Sequence, residues 1–139
     1  MEKITNNRDE TLDFAEKFAK QIVAPKIIVL SGDLGAGKTT FSKGFAKGLG
    51  ISETITSPTF TLLNEYSGDK NLYHFDMYRL SSKEEAYELG FENYFENNDG
   101  IILVEWAENV KGLFTTPYLK VLIEKIDENK RKFTLEEIV

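Results

Sequence analysis

The chain has 139 residues, 41% of them hydrophobic and 12% aromatic, which is enough to close one core and excludes a disordered segment. A formal net charge of −6 opposes tight independent binding to nucleic acid, and the lack of cysteine excludes disulfides and thiolate metal sites. No apolar run reaches the roughly 20 residues of a membrane helix, and Met1-Glu2-Lys3-Ile4-Thr5 lacks the layout of a secretory leader, so a cytoplasmic protein without a membrane partner is expected.

In chain order, Ile4 and its neighbours are expected to form a short edge strand. Asn6 or Asn7 then caps a helix running to about Ile22. Leu12, Ala15, Ala19 and Ile22 recur at helical spacing on one face, and Phe14 and Phe18 widen it. Pro25 separates this helix from a buried strand over 27–30. A second helix over 39–49 carries Phe41, Phe45 and Leu49 as its apolar stripe. Gly44 and Gly48 weaken its intrinsic propensity and are expected to permit close packing against the sheet, and Gly50 ends it. Lys43 and Lys47 read as a solvated helix face, and Lys130-Arg131-Lys132 as a turn with polar flanks.

Segments 59–66 and 72–78 read as strands joined by the turn-rich link 67–71, an antiparallel hairpin. Ser81 or Ser82 caps the next helix, whose Glu84 and Glu85 suit its positive end; Gly90 breaks it and 91–95 forms a short turn. The continuous apolar run 101–104 is expected to be a strand covered on both faces. Two further strands follow near 119–126 and 132–137. The expected fold is α/β, a P-loop NTPase with a mixed, mostly parallel central sheet, flanking helices and an antiparallel hairpin. Residues 1–139 are read as a single P-loop ATPase domain.

The chemistry centres on Gly32-Asp33-Leu34-Gly35-Ala36-Gly37-Lys38-Thr39, a complete match to the phosphate-binding pattern G-x-x-x-x-G-K-[S/T] between a strand and a helix. Main-chain amides of Asp33, Leu34, Gly35, Ala36 and Gly37 are expected around phosphate oxygens, aided by the helix amino terminus. Lys38 is placed at the β- and γ-phosphates, the Thr39 hydroxyl on Mg²⁺, and Thr40 on the α-phosphate side. A nucleoside-triphosphate site also needs a carboxylate for the magnesium shell, and Asp76 and Glu105 both end strands. Glu105 follows the all-apolar run, as on a central strand opening onto a ligand crevice, so it is assigned to the magnesium. Asp76 is the second acid, orienting metal-bound or attacking water. Thr56, Ser57 and Thr59 flank Pro58 where GTPases sense the γ-phosphate; an ordinary turn with a capping serine is the other reading. His74 shares a strand face with Asp76 and either orients that carboxylate or is structural. Trp106 is either core or a gate over the site. Asn129-Lys130-Arg131-Lys132 lacks the acidic residue of a guanine-recognition stretch, which leaves ATP as the nucleotide.

GDLGAGKTTFSKGF, SPTFTLLNEY, YHFDMYRL, ELGFENYF and LVEWAEN, in this order and spacing, resemble the bacterial TsaE (YjeE) ATPase family, densely from about residue 28 to 108. The resemblance implies a small Mg²⁺-dependent ATPase required for threonylcarbamoyl modification of the adenosine beside the tRNA anticodon. It also implies partners, a transferase subunit and its inactive paralogue, with tRNA reached only through them. Carried over by position, Thr39 and Glu105 would bind magnesium and Lys38 phosphate. Asp76 would be a further essential acid, and Ser57 and Trp106 nucleotide-responsive neighbours. A small-molecule kinase of the P-loop class is the alternative, although only Arg8, Arg79 and Arg131 are available and no lid-like insertion shows. A module using ATP as a structural ligand is a third reading, disfavoured because such a site would not need two acids. Slow hydrolysis by the isolated chain is expected, because no arginine is placed in sequence as a finger.

Overall fold

Asn7 starts the first helix, accepting a hydrogen bond from the Glu10 amide at 2.9 Å, while the Glu10 carboxylate accepts one from the Asn6 amide at 2.8 Å. This reciprocal cap satisfies otherwise orphaned amides and fixes the entry into the chain's longest helix. The computed structural model describes residues 1–33 and 35–139. In chain order the elements are β1 (Glu2–Thr5), α1 (Arg8–Gln21), β2 (Lys26–Ser31), α2 (Lys38–Gly48), β3 (Leu63–Tyr66) and β4 (Leu72–Asp76). There follow α3 (Lys83–Glu88), α4 (Glu92–Glu96), β5 (Ile101–Glu105), a 3₁₀ turn (Ala107–Val110), β6 (Tyr118–Lys125) and β7 (Arg131–Ile138).

Among the described residues, seven strands form one sheet in the order β1-β7-β6-β2-β5-β4-β3. The central four, β6, β2, β5 and β4, run parallel. Antiparallel pairing flanks them on both sides, as the β3–β4 hairpin expected from sequence and as β6–β7 with β1. Every residue of β5 is buried, as its unbroken apolar run required.

Period-2 alternation divides the strands between two cores. Ile28 and Leu30 of β2, Ile101 and Leu103 of β5, and Val121 and Ile123 of β6 face α1 and α2. Ile27, Ile102, Val104 and Phe75 face α3, α4 and the 3₁₀ turn. In the first core Phe14 and Phe18 of α1 pack on Phe41 and Phe45 of α2, with ring centroids 5.9–6.5 Å apart across the two helices.

Gly44 and Gly48 permit a close approach, but to α1 rather than to the sheet. A Cβ on Gly44 would lie 2.5 Å from the Leu12 carbonyl oxygen, and one on Gly48 would collide with that of Glu16. The glycines are on the face of α2 that meets another backbone, whereas the phenylalanines fill the wider gap over the strands. The strand expected over 59–66 is also shorter. Residues 59–61 form a turn, Leu62 adopts φ 68°, and only Leu63–Tyr66 pairs with β4. The amide of Leu62 donates to Pro58 O at 2.6 Å and its carbonyl accepts from Asp76 N at 2.9 Å, so the segment curls over the end of β4. β4 itself stops at Asp76 rather than at Tyr78.

Candidate nucleotide-binding site

Parallel pairing sets β2, β4 and β5 to end at one edge of the sheet. Leu30 is in register with Glu105, and Glu105 with Asp76, so the three strands end at the same edge, where Glu105 and Asp76 line one crevice. Because β6 runs parallel to β2, the turn between β6 and β7 reaches that edge too.

The loop leaving β2 can turn tightly only with glycine at two points. Gly37 is left-handed at φ 107°, and a Cβ on Gly32 would meet the Ile123 carbonyl oxygen at 2.8 Å. Gly37 is also the N-cap of α2 and offers no side-chain cap bond. The first amides of this 11-residue helix are therefore directed at the crevice, where the helix dipole favours an anion.

The crevice is a cleft of about 450 Å³. It brings together Gly35, Gly37, Lys38, Thr39 and Thr40 from the loop and helix start with Ser57, Asp76, Glu105 and Trp106 from later in the chain. Asp33 and Ala36 are placed differently. Ala36 is 2% exposed in the first core, and Asp33 borders a neighbouring hollow with Glu124 and Lys125. Leu34 lies outside the described residues.

The two acids are held in different ways. Glu105 is buried, with Oε2 2.7 Å from His74 Nε2 and Oε1 3.9 Å from Lys38 Nζ. Asp76 Oδ2 accepts from the Thr59 hydroxyl at 3.0 Å and Oδ1 from the Tyr78 amide at 2.9 Å. Thr59 in turn lies 2.8 Å from Ser57 Oγ, so the hydroxyl segment is tied to Asp76 through Thr59. His74 bonds to Glu105, not to Asp76 as its strand face had suggested. The diagonal from β4 to β5 is within reach of an imidazole, whereas Asp76 is two residues along the same strand.

Trp106, read from sequence as either core or a gate over the site, lines the cleft and also packs against the second core. It is half-buried, its backbone is left-handed at φ 60°, and Lys38 Nζ lies 4.7 Å from its ring centroid. Tyr78 packs edge-on against it at 5.0 Å. Left-handed backbone at a bulky residue is strained and persists where its surroundings impose it.

Sequence reasoning missed Arg131 as a site residue. Its Nε donates to Ala36 O at 2.8 Å and its Nη1 to Asp127 O at 2.8 Å, so it ties the glycine-rich loop to the β6–β7 turn. The basic run 130–132 was the sole signal, and nothing local linked it to a loop 95 residues earlier. Next to the cleft, past Gly37 and Thr40, a hollow of about 210 Å³ is bordered by Arg8, Thr11, Asn129 and Arg131.

The donor set suits magnesium held jointly with phosphate. Among the described residues no three His, Cys, Asp or Glu side chains converge as a metal cage. Magnesium in nucleotide sites needs none, because one or two protein oxygens complete a shell of phosphate and water. A hydroxyl at Thr39 and a carboxylate at Glu105 on one cleft fit that requirement.

A family model described as "Threonylcarbamoyl adenosine biosynthesis protein TsaE" matches residues 5–133. The chain is 47% identical over 128 residues to the "tRNA threonylcarbamoyladenosine biosynthesis protein TsaE" of Rickettsia prowazekii, covering 91% of this chain and 88% of that one. It is 40% identical over 135 residues to the protein of the same name from Bacillus subtilis, covering 96% and 84%. The crystal structure of Bacillus subtilis YdiB superposes with a TM-score of 0.82 at 37% identity, over 97% of this chain and 83% of that one. A fold shared with YdiB and a family match across nearly the whole sequence show that this chain belongs to the TsaE family.

Proposed function

We propose that this chain is a magnesium-dependent ATPase that serves threonylcarbamoyladenosine formation in tRNA, working in the cytoplasm through partner proteins. One observation carries the nucleotide reading: at the end of β2, Lys38 and the uncapped start of α2 lie across a cleft from two adjacent carboxylates, Glu105 and Asp76. The names of the family and of its members support the pathway.

In this reading the main chain of 33–37, including Leu34, and the first amides of α2 bind the phosphates. Lys38 leaves Glu105 for the β- and γ-phosphate oxygens, an exchange of one anion for another. Thr39 and Glu105 would hold magnesium, whose charge would offset that of the phosphates. Asp76, fixed at both oxygens by Thr59 and Tyr78, orients the attacking water. Ser57 and Trp106 border the γ end and respond to its occupancy. Thr40 faces the α-phosphate, and the hollow beside Arg8, Thr11 and Asn129 receives the nucleoside. The partners are the transferase subunit and its inactive paralogue, with tRNA bound by them.

Phosphate release from ATP by the purified protein tests the reading. Slow, magnesium-dependent release is expected, lost in a folded Lys38→Ala variant. Phosphorylation of a metabolite without free phosphate would instead identify a kinase.

A further inference from the structure

His74 is 2% exposed and lies on β4 beside Glu105, which lines the cleft. Leu72, His74 and Asp76 share the face of β4 that looks toward α2, as Leu103 and Glu105 do on β5. His74 is in register with Leu103, so it reaches diagonally forward to Glu105, with Nε2 2.7 Å from Oε2. A carboxylate only accepts hydrogen bonds, so Nε2 carries the proton and donates it. The other ring nitrogen, Nδ1, is buried and has no partner among the described residues. A histidine kept for packing alone would be expected to satisfy both nitrogens. This one is satisfied only on the side of the carboxylate that the reading above gives to magnesium.

The bond has a geometric effect. With Oε2 engaged by His74, Glu105 cannot rotate freely, and Oε1 remains directed into the cleft beside Lys38. When nucleotide draws Lys38 away, Oε1 is the oxygen left to meet a cation. Carboxylates that hold metals are commonly oriented by such a second hydrogen bond.

We infer that His74 is the positioning residue for Glu105, holding the carboxylate plane so that Oε1 meets the magnesium of a bound nucleotide. The inference rests on the proposed magnesium–nucleotide reading of this cleft. It assigns His74 no contact with substrate.

Trp106 is the chain's single tryptophan and lines the cleft, so its fluorescence reports occupancy without requiring turnover. ADP is bound first in EDTA, and magnesium is then titrated at fixed ADP. In His74→Leu, ADP binding in EDTA is expected to be unchanged, and the half-saturating magnesium concentration to rise about 10-fold or more. His74→Gln can place an amide donor near the position of Nε2 and is expected to move the magnesium requirement back toward wild type. Circular dichroism and thermal unfolding check the fold, and His74→Met replaces the leucine variant if that one does not fold. An unchanged magnesium requirement in a folded Leu or Met variant overturns the inference. So does a glutamine variant as impaired as the apolar ones. A wild-type protein that binds ADP without any response to magnesium overturns the underlying reading as well, which separates the two failures.

Discussion

Glu105 and Asp76 sit side by side at the ends of β5 and β4, yet their surroundings differ. Glu105 has Oε1 directed at a lysine that nucleotide should displace, whereas Asp76 has both oxygens engaged by Thr59 and Tyr78. Magnesium titrations of ATP hydrolysis separate the roles. Glu105→Ala should lose about 100-fold or more in rate, the scale of lost transition-state charge stabilisation, and should need far more magnesium for what remains. Asp76→Ala should lose rate with little change in its magnesium requirement. The opposite pattern would exchange the two assignments. That Lys38, Thr39, Asp76 and Glu105 gather at one cleft was legible in the sequence, because each stands at a fixed offset from a strand or a glycine pattern. His74 was read as either an orienter of Asp76 or a structural residue, and neither reading reached Glu105. Alternation along one strand tells which face a residue occupies, not which neighbour across the ladder it meets.

At the scale of elements, the contact between α1 and α2 depends on Gly44. Alanine there would gain up to about 1 kcal/mol of helix propensity. Its Cβ would lie 2.5 Å from a backbone oxygen of α1, and forced overpacking of this kind costs about 1–3 kcal/mol. Gly44→Ala should therefore lower the urea midpoint. A rise would show that α1 can move aside at no cost.

The turn between β6 and β7 makes a second prediction at this scale. Asp127 accepts from the amides of Lys130 and Asn129 at 2.7 and 2.8 Å, and those bonds, more than nearby Lys130 and Arg131, hold its carboxyl below the ordinary value. A lowered folded value means that the charged form stabilises the fold. That contribution is complete above the unfolded value of about 4 and is lost as pH falls through the folded one. The melting temperature of Asp127→Ala should thus lie below wild type at neutral pH, and the gap should close in acid. A gap independent of pH would assign the effect to something other than the carboxylate.

For the whole molecule, the sheet edge gathers a phosphate-loop cleft, and among the described residues the arginine lining it, Arg131, is already engaged. Arg131 borders the cleft with its Nε on a loop carbonyl and its Nη1 on carbonyls of the β6–β7 turn. A P-loop site without a free arginine at the transition state hydrolyses slowly, and an arginine supplied from outside accelerates it. Adding the transferase heterodimer should raise phosphate release. Equal, fast turnover with and without partners would remove the need for a partner-driven cycle.

By itself, the sequence determined the phosphate-loop fold and the acids that border its cleft. A glycine-rich loop between an apolar strand and a helix, with acids ending two later strands, depends only on local spacing and strand period. The tertiary structure decided which of those parts touch. Strand order brought Glu105 to His74 across 31 residues, and the parallel run of β6 carried Arg131 back to the loop. It also turned Gly44 and Gly48 toward α1 and curled 59–62 over Asp76. The physical reason is the same in each case. Local pattern fixes the face a side chain occupies, but its partner is set by which backbones pair across the sheet and how closely the helices approach.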